Sequence, residues 1–418
     1  MAEIHPFKGW RYNPHRFDKI DELTSPLFDV VSQAQLERLY QHAYNSIHLA
    51  VPRENAQKLR SIISEWKNEK IIDQDQIPCI YVYYQHFTLP GSDHELVRKG
   101  FIANMRIYDW EENMLLRHED TMPFSVQDRQ AALEITQLHT SPTHGLYTDE
   151  SHNIEKLLDV AIKSPIYETE DYQGVRDSFA RISDPNIIQT IVSTIKDKQI
   201  ILADGHHRYA GSLANMRKSK SNNDFHEGNE GYNFHLMYFT NTESEDLRVL
   251  PTHRLIKKYH SSNLNVLERL KKYFDISLVD DPVALNEIIL GKRWHFGLLM
   301  QEDSYVISVK EDFVGQFDKR IPKVVKELDL TVLHEFALNR ALDMTKEEQK
   351  NPELIRFERN FTACHKEVMT GEAAFAFITQ EIPMNTIKKV CYSGHTLPQK
   401  STYFYPKVVN GFVFSSID

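Results

Sequence analysis

The chain has 418 residues, 41% hydrophobic and 26% charged, with a net charge of −10 from 49 basic and 59 acidic side chains. This length allows two domains of about 100–200 residues with sizeable cores. No apolar run nears the ~18 residues of a membrane span, no leader-like apolar stretch follows Met1, and three scattered cysteines (Cys79, Cys364, Cys391) suit neither a disulfide framework nor a thiolate zinc site. A cytoplasmic protein without membrane contact is expected, and the acidic balance disfavours nucleic acid as a partner.

In chain order, strand-like runs are expected at Cys79–Gln85 and Phe101–Tyr108, then a helix at Val126–Leu138. Asp184 and Pro185 announce a helix over Asn186–Ile195. A strand at Gln199–Ala203 follows, and a polar surface loop is expected over Lys218–Gly231 (KSKSNNDFHEGNEG). Further on, the pattern predicts a strand at Phe234–Phe239, a helix at Leu264–Phe274, strands at Trp294–Met300 and Tyr305–Val309, and a helix at Leu330–Leu342. The charged stretch Thr345–Glu353 caps or links helices, and Ala373–Thr379 is a last apolar strand. Interspersed strands and helices predict a mixed α/β (α+β) fold. The expected division is 1–255, with a phosphate-binding core at about 80–255, and 256–418, an α+β lobe that returns a lysine-rich strand to the site.

Glycine is scarce, 15 residues where average usage of about 7% would give roughly 29. No G-x-G spacing occurs, and Gly291-Lys292 lacks the upstream glycine of a Walker A loop. The informative segment is Ile200–Ala210 (IILADGHHRYA). An apolar strand runs into Asp204-Gly205, and a helix is expected from His206. Gly205 permits a sharp turn, the helix start offers backbone N–H groups, and His206, His207 and Arg208 add donors. Such a turn suits phosphate. Asp204 could cap the helix, hold a magnesium ion bridging phosphates, or orient a substrate hydroxyl. A plain capped turn with incidental histidines would give the same Asp-Gly pair.

Two other constellations carry chemistry. His118-Glu119 precedes the helix from Val126, and either side chain could take a proton from a hydroxyl nucleophile. Glu119 and Thr121 could instead cap that helix. Toward the C-terminus, Lys400–Lys407 (KSTYFYPK) offers Lys400, Ser401, Thr402 and Lys407 as phosphate contacts, with Pro406 fixing the turn before Lys407. Arg254, beside His253, would suit a substrate carboxylate or a structural salt bridge. A metal centre built on His118, Glu119 and His206 is a further reading, while His206 and His207, as helix neighbours, do not face one ion.

These motifs resemble the bacterial domain-of-unknown-function 1015 family. Besides the D-G-H-H-R segment, the resemblance includes Pro6–Tyr12 (PFKGWRY), Ser25–Val31 (SPLFDVV), Tyr44–Ile47 (YNSI), His118–Thr121 (HEDT), Asp128-Arg129, Leu250–Arg254 (LPTHR) and Lys400–Lys407. The D-G-H-H-R turn also resembles the phosphate-binding turn of the ParB/sulfiredoxin superfamily, which includes free-serine kinases. That second resemblance implies a ParB/sulfiredoxin-like core and a nucleotide-dependent phosphotransferase, with ATP or ADP as donor, Mg2+ as cofactor and L-serine or a related hydroxy amino acid as acceptor. On this reading Glu119, His118 and Asp204 serve catalysis, and Gly205, His206, His207 and Arg208 hold the phosphates alongside Lys400, Ser401, Thr402 and Lys407. Thr121, His253 and Arg254 would contact substrate, and Asp204 the metal. Two alternatives stand beside it: a nucleotide-binding regulator without kinase activity, and a metal-dependent hydrolase. A homo-oligomer is compatible with the sequence, which does not fix the oligomeric state.

Overall fold

The computed structural model describes all residues except 28–30, 120–122, 172, 260–262, 314 and 418, and the side chains of 263 and 264. The chain forms two compact units, Met1–Arg248 with Pro406–Asp418, and Val249–Tyr405. Both mix helices and strands.

The first unit is built on a nine-stranded mixed sheet. Its order runs Leu115–Arg117, Ile200–Asp204, Thr143–Tyr147, Phe234–Asn241, Glu95–Arg106, Ile80–Thr88, Arg176–Ile182, Tyr167–Glu170, with Ile4–His5 paired to Glu95–Arg106. Ile200–Asp204 runs parallel to Leu115–Arg117 and antiparallel to Thr143–Tyr147, which is itself parallel to Phe234–Asn241. The central strands are buried on both faces. Ile80, Val82 and Tyr84 enter one apolar cluster with Phe101, Ala103, Met237 and Phe239. Tyr81 and Tyr83 enter another with Ile102, Leu236 and Tyr238, and the C-terminal residues Val408, Phe412 and Phe414 join them there. A period of two therefore survives within a run that is hydrophobic throughout. Helix Pro185–Lys196 starts as its sequence announces: Asp184 accepts from the amides of Asn186 and Ile187, with Pro185 in the first turn.

The second unit holds a six-stranded antiparallel sheet in the order Phe274–Val279, Ser304–Val309, His295–Leu299, Phe375–Ile378, His253–Ile256, Ile355–Glu358. Leu255, Leu299, Ala376 and Ile378 pack under helix Phe361–Met369 through Cys364 and Val368.

Several elements depart from the sequence pattern. The helix from His206 runs on to Ser221, so the polar segment begins as helix. The expected Leu264–Phe274 helix is Asn263–Leu270, because Phe274 already opens a strand paired with Val309. Leu330–Leu342 divides into an α-turn, Asp329–Val332, and a wider π-helical stretch, Leu333–Ala341. Among the described residues, no helix is long and apolar enough to cross a membrane. All three cysteines are buried and unbridged.

Candidate anion site

Gly205 makes the turn between strand Ile200–Asp204 and helix His206–Ser221. Its φ is +88°, and a Cβ there would sit 2.6 Å from Thr143 Cγ2 and 2.9 Å from Arg208 Nη2. Both the backbone angle and the space thus require glycine. Gly205 is the N-cap residue and has no side chain with which to cap the helix.

Asp204 joins the turn to two cations. Lys407 Nζ lies 2.6 Å from Oδ1, and Arg208 Nη2 lies 3.0 Å from Oδ2. Burial pushes the Asp204 carboxyl up, but Lys407 and Arg208 outweigh it and hold the group well below the usual carboxylate range. Arg208 is aimed by further acceptors, Ser141 Oγ and the Pro142 carbonyl, the latter at 2.7 Å. Of the side chains expected at the phosphates, Lys407 and Arg208 therefore meet at Asp204, although 203 residues separate Lys407 from Asp204.

His118 and His206 stand beside this pair. Their rings meet edge-on, with centroids 4.6 Å apart. His118 Nδ1 lies 2.7 Å from the Leu202 carbonyl, which can only accept. Nδ1 therefore carries the proton, and the neutral ring keeps its lone pair on Nε2. Burial pushes the His118 imidazole down, and burial together with the neighbouring His118 does the same at His206. His206 Nε2 is buried without a hydrogen-bond partner among the described residues. Glu119 is half-buried next to His118, and its charge acts on that ring.

A layer of uncharged histidines backs the turn. Thr143 Oγ1 lies 3.0 Å from His235 Nε2, and His235 Nδ1 lies 2.8 Å from Ser212 Oγ. His144 Nε2 pairs with Thr240 Oγ1 at 2.7 Å. Burial drives His144 and His235 well down and His139 to about 4.

The second unit holds the other expected residues. Arg254 is fully buried, and its guanidinium donates to His334 Nε2 at 3.1 Å, to the Thr252 carbonyl and to the Lys400 carbonyl at 3.4 Å. Burial lowers it to about 9. His253 Nδ1 accepts from the Thr379 amide at 3.1 Å. Ser401 donates to the Pro398 carbonyl, and Lys400 sits in the left-handed region at φ 54°. Thr402 is half-buried. Thr121 lies outside the described residues.

A divalent ion does not fit at Asp204. Each carboxylate oxygen already accepts from a cation, so a divalent ion there would bring a third positive centre to a single negative group. Among the described residues, no group of three or more His, Cys, Asp or Glu side chains is placed to hold a metal ion. The donors converging on Asp204 suit an anion instead.

The sequence reading missed the residues that aim the known ones. Ser141, Pro142 and Thr143 fix Arg208 and Gly205, and Gln85 fixes Lys407 by donating to its carbonyl at 3.1 Å. Gln85 had one visible signal: it is the polar residue at an inward position of an otherwise apolar, alternating strand.

Fold and site together define a mixed α/β protein with a strand–turn–helix at which Asp204, Arg208 and Lys407 meet. A family model described as "Protein of unknown function (DUF1015)" matches residues 4–331, and the chain belongs to that family. A search of curated proteins returns no match. Solved structures similar to the chain include a conserved hypothetical protein from Pyrococcus furiosus, with 13% identity, TM-score 0.37, and coverage of 75% of this chain and 94% of that one. A free serine kinase variant in complex with AMP has the same identity and TM-score, covering 76% and 92%. SbnI with a C-terminal truncation, from Staphylococcus aureus, has 9% identity and TM-score 0.35, covering 75% and 86%.

Proposed function

We propose that this protein is a small-molecule phosphotransferase that moves a phosphoryl group from ATP or ADP to the hydroxyl of a free amino acid, most simply L-serine. The observation that carries the reading is the junction of Asp204, Arg208 and Lys407 at the N-terminus of helix His206–Ser221. Phosphoryl transfer demands positioning and charge neutralisation more than covalent chemistry. Arg208 and Lys407 supply positive charge, and Asp204 keeps both oriented. The acceptor oxygen attacks the terminal phosphorus, the bond to the bridging oxygen breaks, and the nucleotide leaves one phosphate shorter. The hydroxyl proton passes to His118 Nε2 or to Glu119. The nucleotide and serine are taken from the resemblance of the turn to free-serine kinases. No step is assigned to magnesium, which accompanies the nucleotide in the test.

The test is phosphate-31 NMR of the purified chain with magnesium, L-serine, and ATP or ADP in separate samples. A phosphoserine resonance that requires serine is the expected result and identifies the donor. Nucleotide bound but intact would favour a regulator, and nucleotide loss without serine a hydrolase. Glu119→Gln is expected to lower turnover by about 10²–10⁴ with unchanged nucleotide affinity if Glu119 is the base. Unchanged turnover would assign the proton to His118.

A further inference from the structure

The strand Glu95–Arg106 buries a charge that its neighbours do not neutralise. Arg98 is 1% exposed. It lies in register with Gln85, which lies in register with Asp177, so the three side chains stand side by side on one face of the sheet. Arg98 Nη2 donates to Gln85 Oε1. Nε and Nη1 have no hydrogen-bond partner. The guanidinium carbon lies 5.5 Å from the Tyr238 ring centroid, and the guanidinium acts on the Tyr238 hydroxyl, partly offsetting the rise that burial imposes there. Among the described residues, no carboxylate comes within ion-pair distance of Arg98. Asp177 is a poor counter-charge, since burial pushes its carboxyl up to about 7. Its hydrogen bonds come from Tyr83 Oη, at 2.8 Å, and from Gln85.

A buried cation without its counter-ion is strongly destabilising. This one is tied directly to the anion site. Gln85 accepts from Arg98 and donates to the Lys407 carbonyl, while the Lys407 ammonium reaches Asp204 and Asp204 reaches Arg208. His144, paired in register with Asp204, is kept uncharged by burial first and then by Arg98, Lys407 and Arg208, against the pull of Asp204, so the charges of Arg98 and of the turn act on one ring. The missing charge is therefore an anion's, on the same network as the turn.

We propose that Arg98 receives an oxyanion, a phosphate or a carboxylate, of the ligand that seats on the Asp204–Arg208 turn. The proposal rests on the nucleotide-binding reading above and adds the second point at which the ligand is held. Because Arg98 is so enclosed, the anion reaches it only as nearby side chains rearrange, and association is slower than simple encounter.

The test compares the full chain with Arg98→Met and Arg98→Lys by thermal melting and calorimetric titration, using ADP, inorganic phosphate, and L-serine in the presence of ADP. Arg98→Met is expected to melt at or above the unsubstituted chain when no ligand is added, because an unpaired buried charge is gone. Its affinity should fall tenfold or more, with a smaller fall for Arg98→Lys. A fall confined to ADP and phosphate identifies a phosphate at Arg98; one confined to serine identifies a carboxylate. If the unsubstituted chain binds and both variants bind equally well, the proposal is overturned while the nucleotide reading stands. If the unsubstituted chain binds none of the probes, that reading fails and the proposal with it. Should Arg98→Met not fold, Arg98→Lys decides: lost affinity supports the assignment, and unchanged affinity overturns it.

Discussion

At the scale of single residues, Asp204 matters most as the partner that two cations share. Asp204→Asn would leave Lys407 and Arg208 close together with no charge between them. Breaking a buried pair in this way costs about 3–5 kcal/mol. A loss of that size in urea unfolding is expected, partly restored by adding Lys407→Met; a double-variant loss equal to the sum of the Asp204→Asn and Lys407→Met losses would mean that the pair is not coupled. The sign with pH follows from the depressed carboxyl. Its stabilisation is complete above the unfolded value near 3.8 and is lost as pH falls through the still lower folded value.

At the scale of elements, local sequence signals and long-range pairings differ in how readable they are. Asp184 is a local signal, and Asp184→Ala should cost about 1 kcal/mol by freeing the Asn186 and Ile187 amides at the start of helix Pro185–Lys196. Chemical denaturation would detect it, and an unchanged midpoint would mean that the helix is fixed by Ile191 and Ile195 alone. Turn chemistry made Asp204–Arg208 legible because strand end, glycine and helix start are consecutive. The alternation of basic, hydroxyl and aromatic residues singled out Lys407, but its pairing with Asp204 was not legible, because nothing local links residues so far apart. Arg98, Gln85 and Asp177 are brought abreast by strand register, which a single sequence does not reveal. The helix boundaries missed at Phe274 and Ser221 have the same origin. Phe274 is claimed by its pairing with Val309, and the polar residues after Lys218 have helical geometry that their composition does not announce.

At the scale of the whole molecule, two sets of buried groups act against each other as pH changes. In the first unit, His118, His139, His144, His206 and His235 are all held neutral by burial. The unfolded chain binds protons that the folded state refuses, so their stabilisation is lost as pH falls below about 6.5. Asp177 works in the opposite direction. Its folded value of about 7 lies above the unfolded 3.8, so its favourable contribution is full at low pH and disappears as pH rises through 7. Asp171 shares the direction of Asp177, but the histidines outnumber the two, which predicts that the protein weakens on acidification. Asp177→Asn should stabilise it at pH 8, by up to about 4 kcal/mol on the difference between the two values, with the gain vanishing toward pH 4. Melting temperatures across that range would show it, and a gain independent of pH would remove Asp177 as the cause.

The first unit is not continuous in the chain: Pro406–Asp418 belongs to it, but Val249–Tyr405 comes between. On the ribosome, the turn at Gly205 is therefore made long before its lysine. A nascent chain that has passed Arg248 holds Asp204 and Arg208, but it must wait for the whole second unit to be synthesised before Lys407 can arrive. The junction of Asp204, Arg208 and Lys407 is thus completed only after the second unit has been synthesised, and a chain that stops before Lys407 carries the recognisable motif without its lysine.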